Sequence, residues 1–530
     1  MADRVEQAPE GTAGSRRLAV LLALAMFVLV VDTSLMNVSI SRVVEDLDTT
    51  VSGVQGAIAL EALVSAAFIL IGSKTGDLIG RKRAFVLGLL GYGTGAVAMT
   101  LSQGLTAIIV FWAIIGGLGA SLLLPAMQSL IHGNFAGTAQ KKAYALVGAA
   151  AAIAAAVGPL LGGFLTTFLS WRVGFLMEAV VIAIVLSGLK LIHDVPYRGP
   201  RNVDVVGAVL SALGMGGLVI GVLVWQGGGE FVGVLLAVGV VALGSLARWL
   251  IRRKRDGKPT LLDPTLFQRD LFRLGITSQM LQNIALGGLM IALPIYLQMV
   301  LEYNALQTGL TIAPLSLTMF ASALLAGKQA GKHRPAAMIR LGAGLLTLGV
   351  LLLMPIVPRA DSGWPLVVPL LIAGPGLGLL VSQLNNYTLS PISDERVSEA
   401  AGVNSAAGSF GLSFGLAFAG AIMLATLSIA FTDKANNSDV LPPASKEQVA
   451  EALEDDAEVM SNTELEAQLA GQPPEIQEEI ISINTDARPL ALQVALLVPL
   501  LAGLLGLING FRMMRQPDPA PSSAAEMALA

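Results

Sequence analysis

The chain has 530 residues, 54% of them hydrophobic and 13% charged, with a net charge of −4 and a positive mean hydropathy. Soluble domains carry roughly a quarter charged residues, so lipid rather than water is the solvent for most of this surface. Cysteine is absent, which excludes disulfides, thiolate metal sites and cysteine nucleophiles. The three histidines, His132, His193 and His333, fall in loop-like stretches and argue against a histidine-built metal or catalytic centre.

A membrane helix needs about 20 mostly apolar residues. That window predicts fourteen spans, near 18–41, 52–73, 84–101, 105–130, 144–168, 173–192, 204–226, 231–251, 274–300, 305–326, 337–357, 364–389, 400–431 and 489–511, and so an all-α polytopic membrane protein. The first span follows Arg16 and Arg17, and no small-residue cleavage site comes after it, so it reads as a retained helix rather than a signal peptide. Within it, "FVLVVDTSLMNVS" (27–39) sets Asp32 at the end of an apolar run. A charged aspartate at mid-helix costs on the order of 2.5–3.5 kcal/mol, so such residues usually face a wet interior and serve a function. The second span carries Glu61. Counted from the outer ends of their spans, Asp32 and Glu61 both lie about 14 Å deep at 1.5 Å per residue. Two acids at one depth can share a proton or a cationic substrate, because both cannot ionise cheaply in a small dry cavity. Glu178, in the sixth span, counts as shallower, which predicts an interfacial pair with Arg172 and a structural role.

Between the second and third spans stands "GSKTGDLIGRKRAF" (72–85). Gly76 and Gly80 permit a tight turn, Asp77 can meet a helix N-terminus or a cation, and Arg81, Lys82 and Arg83 hold the loop on the cytoplasmic side. The fifth span carries "VGPLLGGFL" (157–165), where Pro159 removes an intrahelical hydrogen bond and Gly158, Gly162 and Gly163 let a neighbour approach closely. In the second half Gln279, Gln282, Asn283, Gln383, Asn385, Asn386 and Asn404 are polar within spans, as is Asn37 in the first. They either line a path or link helices by hydrogen bonds.

The D-x-x-G-R-[KR] core at 77–82 resembles the signature loop of the major facilitator superfamily, with Ser73 where the family's leading Gly stands, or Gly72 one residue early. "GPLLGG" is similar to the G-P-x-x-G-G motif of its exporting branches, and "VDTSLMNVS" to the L-D-x-T-x-x-N-V-A motif of its fourteen-helix drug:proton antiporters, with Ser39 and Ser41 in place of Ala and Pro. The resemblance covers essentially the whole chain. It implies an N-terminal six-helix bundle (18–192) after a tail (1–17), an inserted helix pair with its flanks (193–273), and a C-terminal six-helix bundle (274–513) before a second tail (514–530). It also implies that 72–83 gates the cytoplasmic side. "AGKQAGKHRP" (326–335) occupies the equivalent place in the second half but has no acid. Two departures stand out. Ala113 and Gly116 replace the family's Arg and Gln in the fourth helix, and Glu61 replaces an aromatic in the second.

Lysine and arginine alternate in density along the loops. Of 33, only Arg42, Arg172, Arg359, Lys434, Lys446 and Arg488 fall on one side, which puts both termini inside; the resemblance implies a protein of the bacterial inner membrane. The outer segment 432–488 is acidic, with Ala, Leu and Glu at helical spacing, and predicts short amphipathic helices acting as a solvated cap, a lid or a cation-attracting vestibule. No G-x-x-x-x-G-K-[ST] loop occurs, so ATP is not the energy source. The reading is a proton-coupled exporter of hydrophobic or cationic compounds, monomeric, with small molecules, protons and the bilayer as partners and no nucleic acid, metal or cofactor. The alternatives are export of one metabolite or lipid, or a non-transporting receptor using the acidic segment. An enzyme fits least.

Overall fold

The computed structural model describes residues 13–517, apart from 136, 195–203, 227–228, 329–332, 393–396 and, but for isolated positions, 443–468. Thirteen of the described helices are long and apolar enough to cross a membrane. The sixth expected span forms a 17-residue helix, Trp171–Ser187, at the lower limit of what a bilayer needs. With it the number is the fourteen expected.

The first half comprises α1 (Ala13–Val38), a short α2 (Ile40–Leu47), α3 (Val51–Ile79), α4 (Arg81–Leu101), α5 (Leu105–Ala107) running through a π-helical stretch (Ile108–Gly116) into α6 (Gly117–Asn134), α7 (Gly137–Phe168) and α8 (Trp171–Ser187). Next come α9 (Val205–Gln226) and α10 (Val232–Arg255). The second half holds α11 (Asp270–Met299), α12 (Ala305–Lys328), α13 (Pro335–Ile356), α14 (Trp364–Leu389), α15 (Val397–Asn437), α16 (Pro474–Ala495) and α17 (Leu497–Met514). An even number of crossings leaves the start of α1 and the end of α17 on one face, called here the terminal face; the other is the far face.

Lipid tails are as apolar as leucine, so helices in a membrane associate through close van der Waals fit and polar ties. The two halves meet along two seams, α3 with α15 and α7 with α12. On the first, the Ser413 hydroxyl donates to the Ala59 carbonyl at 2.6 Å. α9 packs on both α3 and α15, while α10 packs on α9 and turns Val234, Val238, Val240 and Val241 outward. The inserted pair is pinned at the terminal face by Asp204, which is buried and accepts from the Gly207 amide, the Trp249 indole and the Leu261 amide. The segment after α10 is tied to α15, the Asp263 amide donating to Glu399 at 2.6 Å.

Three boundaries differ from expectation. α1 stops at Val38, not 41, because Ser39 leaves helical geometry (φ −103°, ψ 1°), its hydroxyl bonding the Leu35 carbonyl and Thr166. α2 then buries Ile40, Val43, Val44 and Leu47 on one side. At the far face α15 runs to Asn437, and the last crossing begins at Pro474 rather than 489, with Pro489 inside the helix. Forty-one residues of α-helix measure about 60 Å, twice the hydrocarbon core, so α15 projects well beyond the bilayer. α16 buries Ile480, Ile483 and Ala487 and packs on α15, where Lys434 meets Asp486 at 3.0 Å. The amphipathic helices expected within 432–488 fall mainly on 443–468, and the core of the 326–335 loop on 329–332, outside the described residues. Of the acidic segment, Thr463 donates from its amide and hydroxyl to Glu302 in the α11–α12 turn.

Candidate functional site

Asp32 sits on α1 with no exposed surface. One carboxylate oxygen accepts from the Tyr92 hydroxyl on α4 and, at 3.1 Å, from the Trp112 indole N–H. The other accepts from the amide and hydroxyl of Thr33. Trp112 lies in the π-helical stretch, whose extra residue per turn changes which side chains point at α1; such stretches recur at functional sites. Ala113 and Gly116, at the positions where the family carries Arg and Gln, are also buried there and bring no polar side chain. Asp32 therefore meets donors from the aromatic pair instead.

Glu61 on α3 is buried at 8% exposure and interacts electrostatically with Asp32, so the expected pair of acids is brought into one region. Glu178 joins them, contrary to the expected interfacial position. Gly174 of α8 packs on Leu35 and Gly188 on Leu21, so the antiparallel helices keep one register that sets Asp32 level with Met177 and Glu178. Asp32 lies six residues from the end of α1 and Glu178 seven from the start of α8, about 9 and about 10.5 Å respectively. Glu178 is 4% exposed and interacts electrostatically with Asp32.

Arg172 goes elsewhere too. It pairs with Asp46 on α2, donates to the Ser102 carbonyl at 2.9 Å and lies over the Trp171 ring. Partial burial pushes the Asp46 carboxyl up, but the Trp171 indole N–H and the Arg172 guanidinium outweigh it and hold the group below its ordinary value. A depressed folded-state value stabilises above the unfolded pKa of about 3.9 and loses that contribution as pH falls through the folded value. The melting temperature of wild type should thus decline more steeply than that of Asp46→Asn as pH drops below the ordinary aspartate range. Parallel curves would show that the pair carries no stability.

The 72–85 segment is a helix–helix corner: α3 ends at Ile79, Gly80 turns the chain (φ 100°, ψ 138°) and α4 starts at Arg81. The Gly80 amide donates to the Gly76 carbonyl. The Lys82 amide donates to Asp194 at 3.0 Å and its ammonium to the Ile192 carbonyl at 2.8 Å, so the corner is docked on the chain leaving α8. Asp77 lies on α3 with its side chain outside the described residues, and Arg81 and Arg83 open α4. A Cβ at Gly80 would lie 2.8 Å from the Asp194 carboxylate in a conformation side chains rarely adopt. Gly80→Ala is expected to cost about 1–3 kcal/mol and to lower the melting temperature. An unchanged melting temperature would mean that the corner is not held in this form.

The glycines of 157–165 are contact points on both sides of α7. Gly158 and Gly162 lie against Ser34 and Leu35 of α1, and Gly163 against the Ala305 carbonyl and Leu306 of α12, where a Cβ would be at 2.5 and 2.9 Å. Gly309 of α12 faces the Pro159 carbonyl in the same way. Nearby, the Leu306 amide donates to Thr167 at 3.1 Å. Gln298 of α11 accepts from Ser41 and donates to the Val38 carbonyl at 3.2 Å. Ser39 and Ser41, the departures from the family motif, are thus polar ties beside the break in α1. A cleft of about 340 Å³ opens here at the far face, lined by Ser41, Thr166, Gln298, Glu302 and Asn304 among others.

The remaining polar residues form two groups. Gln279 and Asn283 flank Gly408 of α15, with the Asn283 amide donating to the Gln279 carbonyl and to Gln282. Asn404 donates to Asn385 at 2.6 Å. Gln383 is buried and bonds Ser382, Asn386 is half-buried, and Asn37 donates back to the Thr33 carbonyl. Sequence reasoning missed Tyr92, Trp112 and the inward position of Glu178. Tyr92 is the single tyrosine of its span and Trp112 the single tryptophan of its own, which is the signal that was there to read.

The sequence model of the Major Facilitator Superfamily matches residues 22–205 and 201–416. The "Probable actinorhodin transporter" of Streptomyces coelicolor is 27% identical over 79% of this chain and 75% of its own length. The "Multidrug resistance protein Stp" of Mycobacterium tuberculosis is 28% identical, covering 82% and 80%, and the "Tetracenomycin C resistance and export protein" of Streptomyces glaucescens 26%, covering 95% and 94%. Among solved structures, a bacterial homologue of the human lysosomal transporter Spinster, inward-facing and unoccupied, superposes with a TM-score of 0.64 at 13% identity, covering 96% of this chain and 100% of that one, which is a likeness of fold. Matched by that model over most of its length, and folded as two helix halves meeting along two seams, the chain belongs to the Major Facilitator Superfamily.

Proposed function

We propose that the protein is a secondary active exporter in the bacterial cytoplasmic membrane, both termini cytoplasmic, that exchanges protons for hydrophobic or cationic small molecules. The observation that carries this reading is Asp32, a carboxyl with no exposed surface in a spanning helix, held by Tyr92 and Trp112 and sharing its region with Glu61. An ionisable group placed there at such cost supports a role in moving protons. The names of the relatives, which speak of resistance and export, support the direction of transport. The terminal-face corner at 72–85 and the far-face ties around Gln298 are positioned to gate the two ends. The chain works as a monomer, in two six-helix bundles (18–192 and 274–513) joined by the 193–273 insert.

A second reading, export of one defined compound, is favoured by relatives named for single compounds, actinorhodin and tetracenomycin C. The deciding experiment is efflux of a fluorescent lipophilic cation from liposomes under an imposed pH gradient. Gradient-driven efflux above empty liposomes supports multidrug antiport. Its absence across several dyes removes the multidrug reading and leaves single-compound export.

A further inference from the structure

Glu178 is the carboxyl that the proposed exchange leaves without a task. Its neighbour Met177 is 45% exposed while Glu178 is 4% exposed, so at the level of Asp32 it is Glu178 that points into the bundle. Phe175, one turn earlier, has its ring 6.0 Å from that of Trp112, edge to face, and the Trp112 indole bonds Asp32. Ile182, one turn later, packs on Gly93 of α4, next to Tyr92. Glu178 therefore lies on the wall that also carries both aromatic donors to Asp32.

Its surroundings hold little to support a charge. Oε1 is buried with no hydrogen-bond partner. The titratable groups within electrostatic reach of it are Asp32 from α1 and Tyr92 from α4, and Glu61 of α3 is in turn within reach of both of those. α7 brings none at this depth among the described residues, and Arg172 is engaged by Asp46. An anion without donors in such a place is costly, whereas a neutral acid has an O–H to give. Asp32 can take it: the oxygen facing Thr33 accepts only from that residue, and a carboxylate accepts about four hydrogen bonds.

We propose that Glu178 is a positioning residue for the coupling carboxyl, a neutral acid whose hydroxyl donates to Asp32 when Asp32 is ionised. This rests on the proton-coupled reading for its purpose, but its test does not need transport. The proton stays on Glu178 throughout, and Asp32 alone gains and loses one. The conservative amide at position 178 keeps a donor, while a methionine of similar length removes it.

The experiment is a pH titration of tryptophan fluorescence on the purified full-length protein in nanodiscs, since Trp112 reports directly on Asp32. Wild type should show a transition that Asp32→Asn lacks. A hydrogen bond to a charged group is worth about 1.5–3 kcal/mol, and one pH unit is about 1.4 kcal/mol. Glu178→Met should therefore move the midpoint about one to two units to higher pH, and Glu178→Gln should leave it near wild type. If Glu178→Met leaves the midpoint in place, or Glu178→Gln shifts it as far as Glu178→Met does, the proposal is overturned. Should the methionine variant not fold, Glu178→Leu, which equally lacks a donor, makes the same comparison with Glu178→Gln. Failure of dye efflux with an intact titration would sink the exporter reading and leave this one standing.

Discussion

Asp32→Asn is expected to bring gradient-driven efflux down to the level of empty liposomes while leaving the protein folded. The amide has nearly the shape of the acid, and its carbonyl oxygen can still accept from the Tyr92 hydroxyl and the Trp112 indole, so the packing of α1 against α4 and the π-helical stretch survives. What is lost is the only thing an amide cannot do at any working pH, which is to bind and release a proton. The contrast between an intact melting temperature and absent efflux is the measurement. Retained efflux would move the coupling role away from Asp32, and Glu61 would be the next carboxyl to replace.

Gly309→Val should abolish transport by a different route. A Cβ at Gly309 would collide with the Pro159 carbonyl, and this is backbone, which cannot swing aside as a side chain can. The clash sits on the α7–α12 seam, beside the contact of Gly163 with Ala305, so the far-face ends of the two halves are held apart. The natural chain has no cysteine, so a Thr167→Cys, Leu306→Cys pair can be cross-linked by oxidation without removing any native thiol. These positions meet through the 3.1 Å bond from the Leu306 amide. Cross-linking should be efficient in the otherwise native chain and should fall at least several-fold with Gly309→Val, together with loss of efflux. Normal cross-linking and pumping would show that the glycines are dispensable as contact points.

Much of this was legible in the sequence because lipid imposes simple rules. Span count followed from apolar length, and the glycine-rich stretch of α7 announced close contacts, although which helix each glycine would meet was not written locally. Asp32 and Glu61 were legible because a carboxyl in an apolar run is conspicuous. Glu178 was equally conspicuous but was set at the wrong depth. The count assumed that α1 ran to 41 and α8 began at 173, whereas Ser39 stops the one early and Trp171 starts the other early, and each shift of two or three residues is most of a turn. Trp112 was missed for a further reason. In a plain α-helix its direction follows from a period of 3.6, but the π-helical stretch at 108–116 adds a residue to the turn and swings the indole toward α1, which no periodicity in "IIVFWAIIG" reveals.

The inserted pair has a bearing on how a lipid-soluble cargo reaches the pump. Halves that rock against each other part along two slits that face the surrounding leaflets. Leu223 and Trp225 of α9 overlie the slit between α3 and α15, near Gly56 and Phe418, and α10 stands outside α9 as a second wall. A molecule diffusing sideways in the bilayer would find that flank covered by the inserted pair, whereas among the described residues the α7–α12 seam carries no such layer. For the proposed exporter, entry from the membrane would then be one-sided, set by where two extra helices lie.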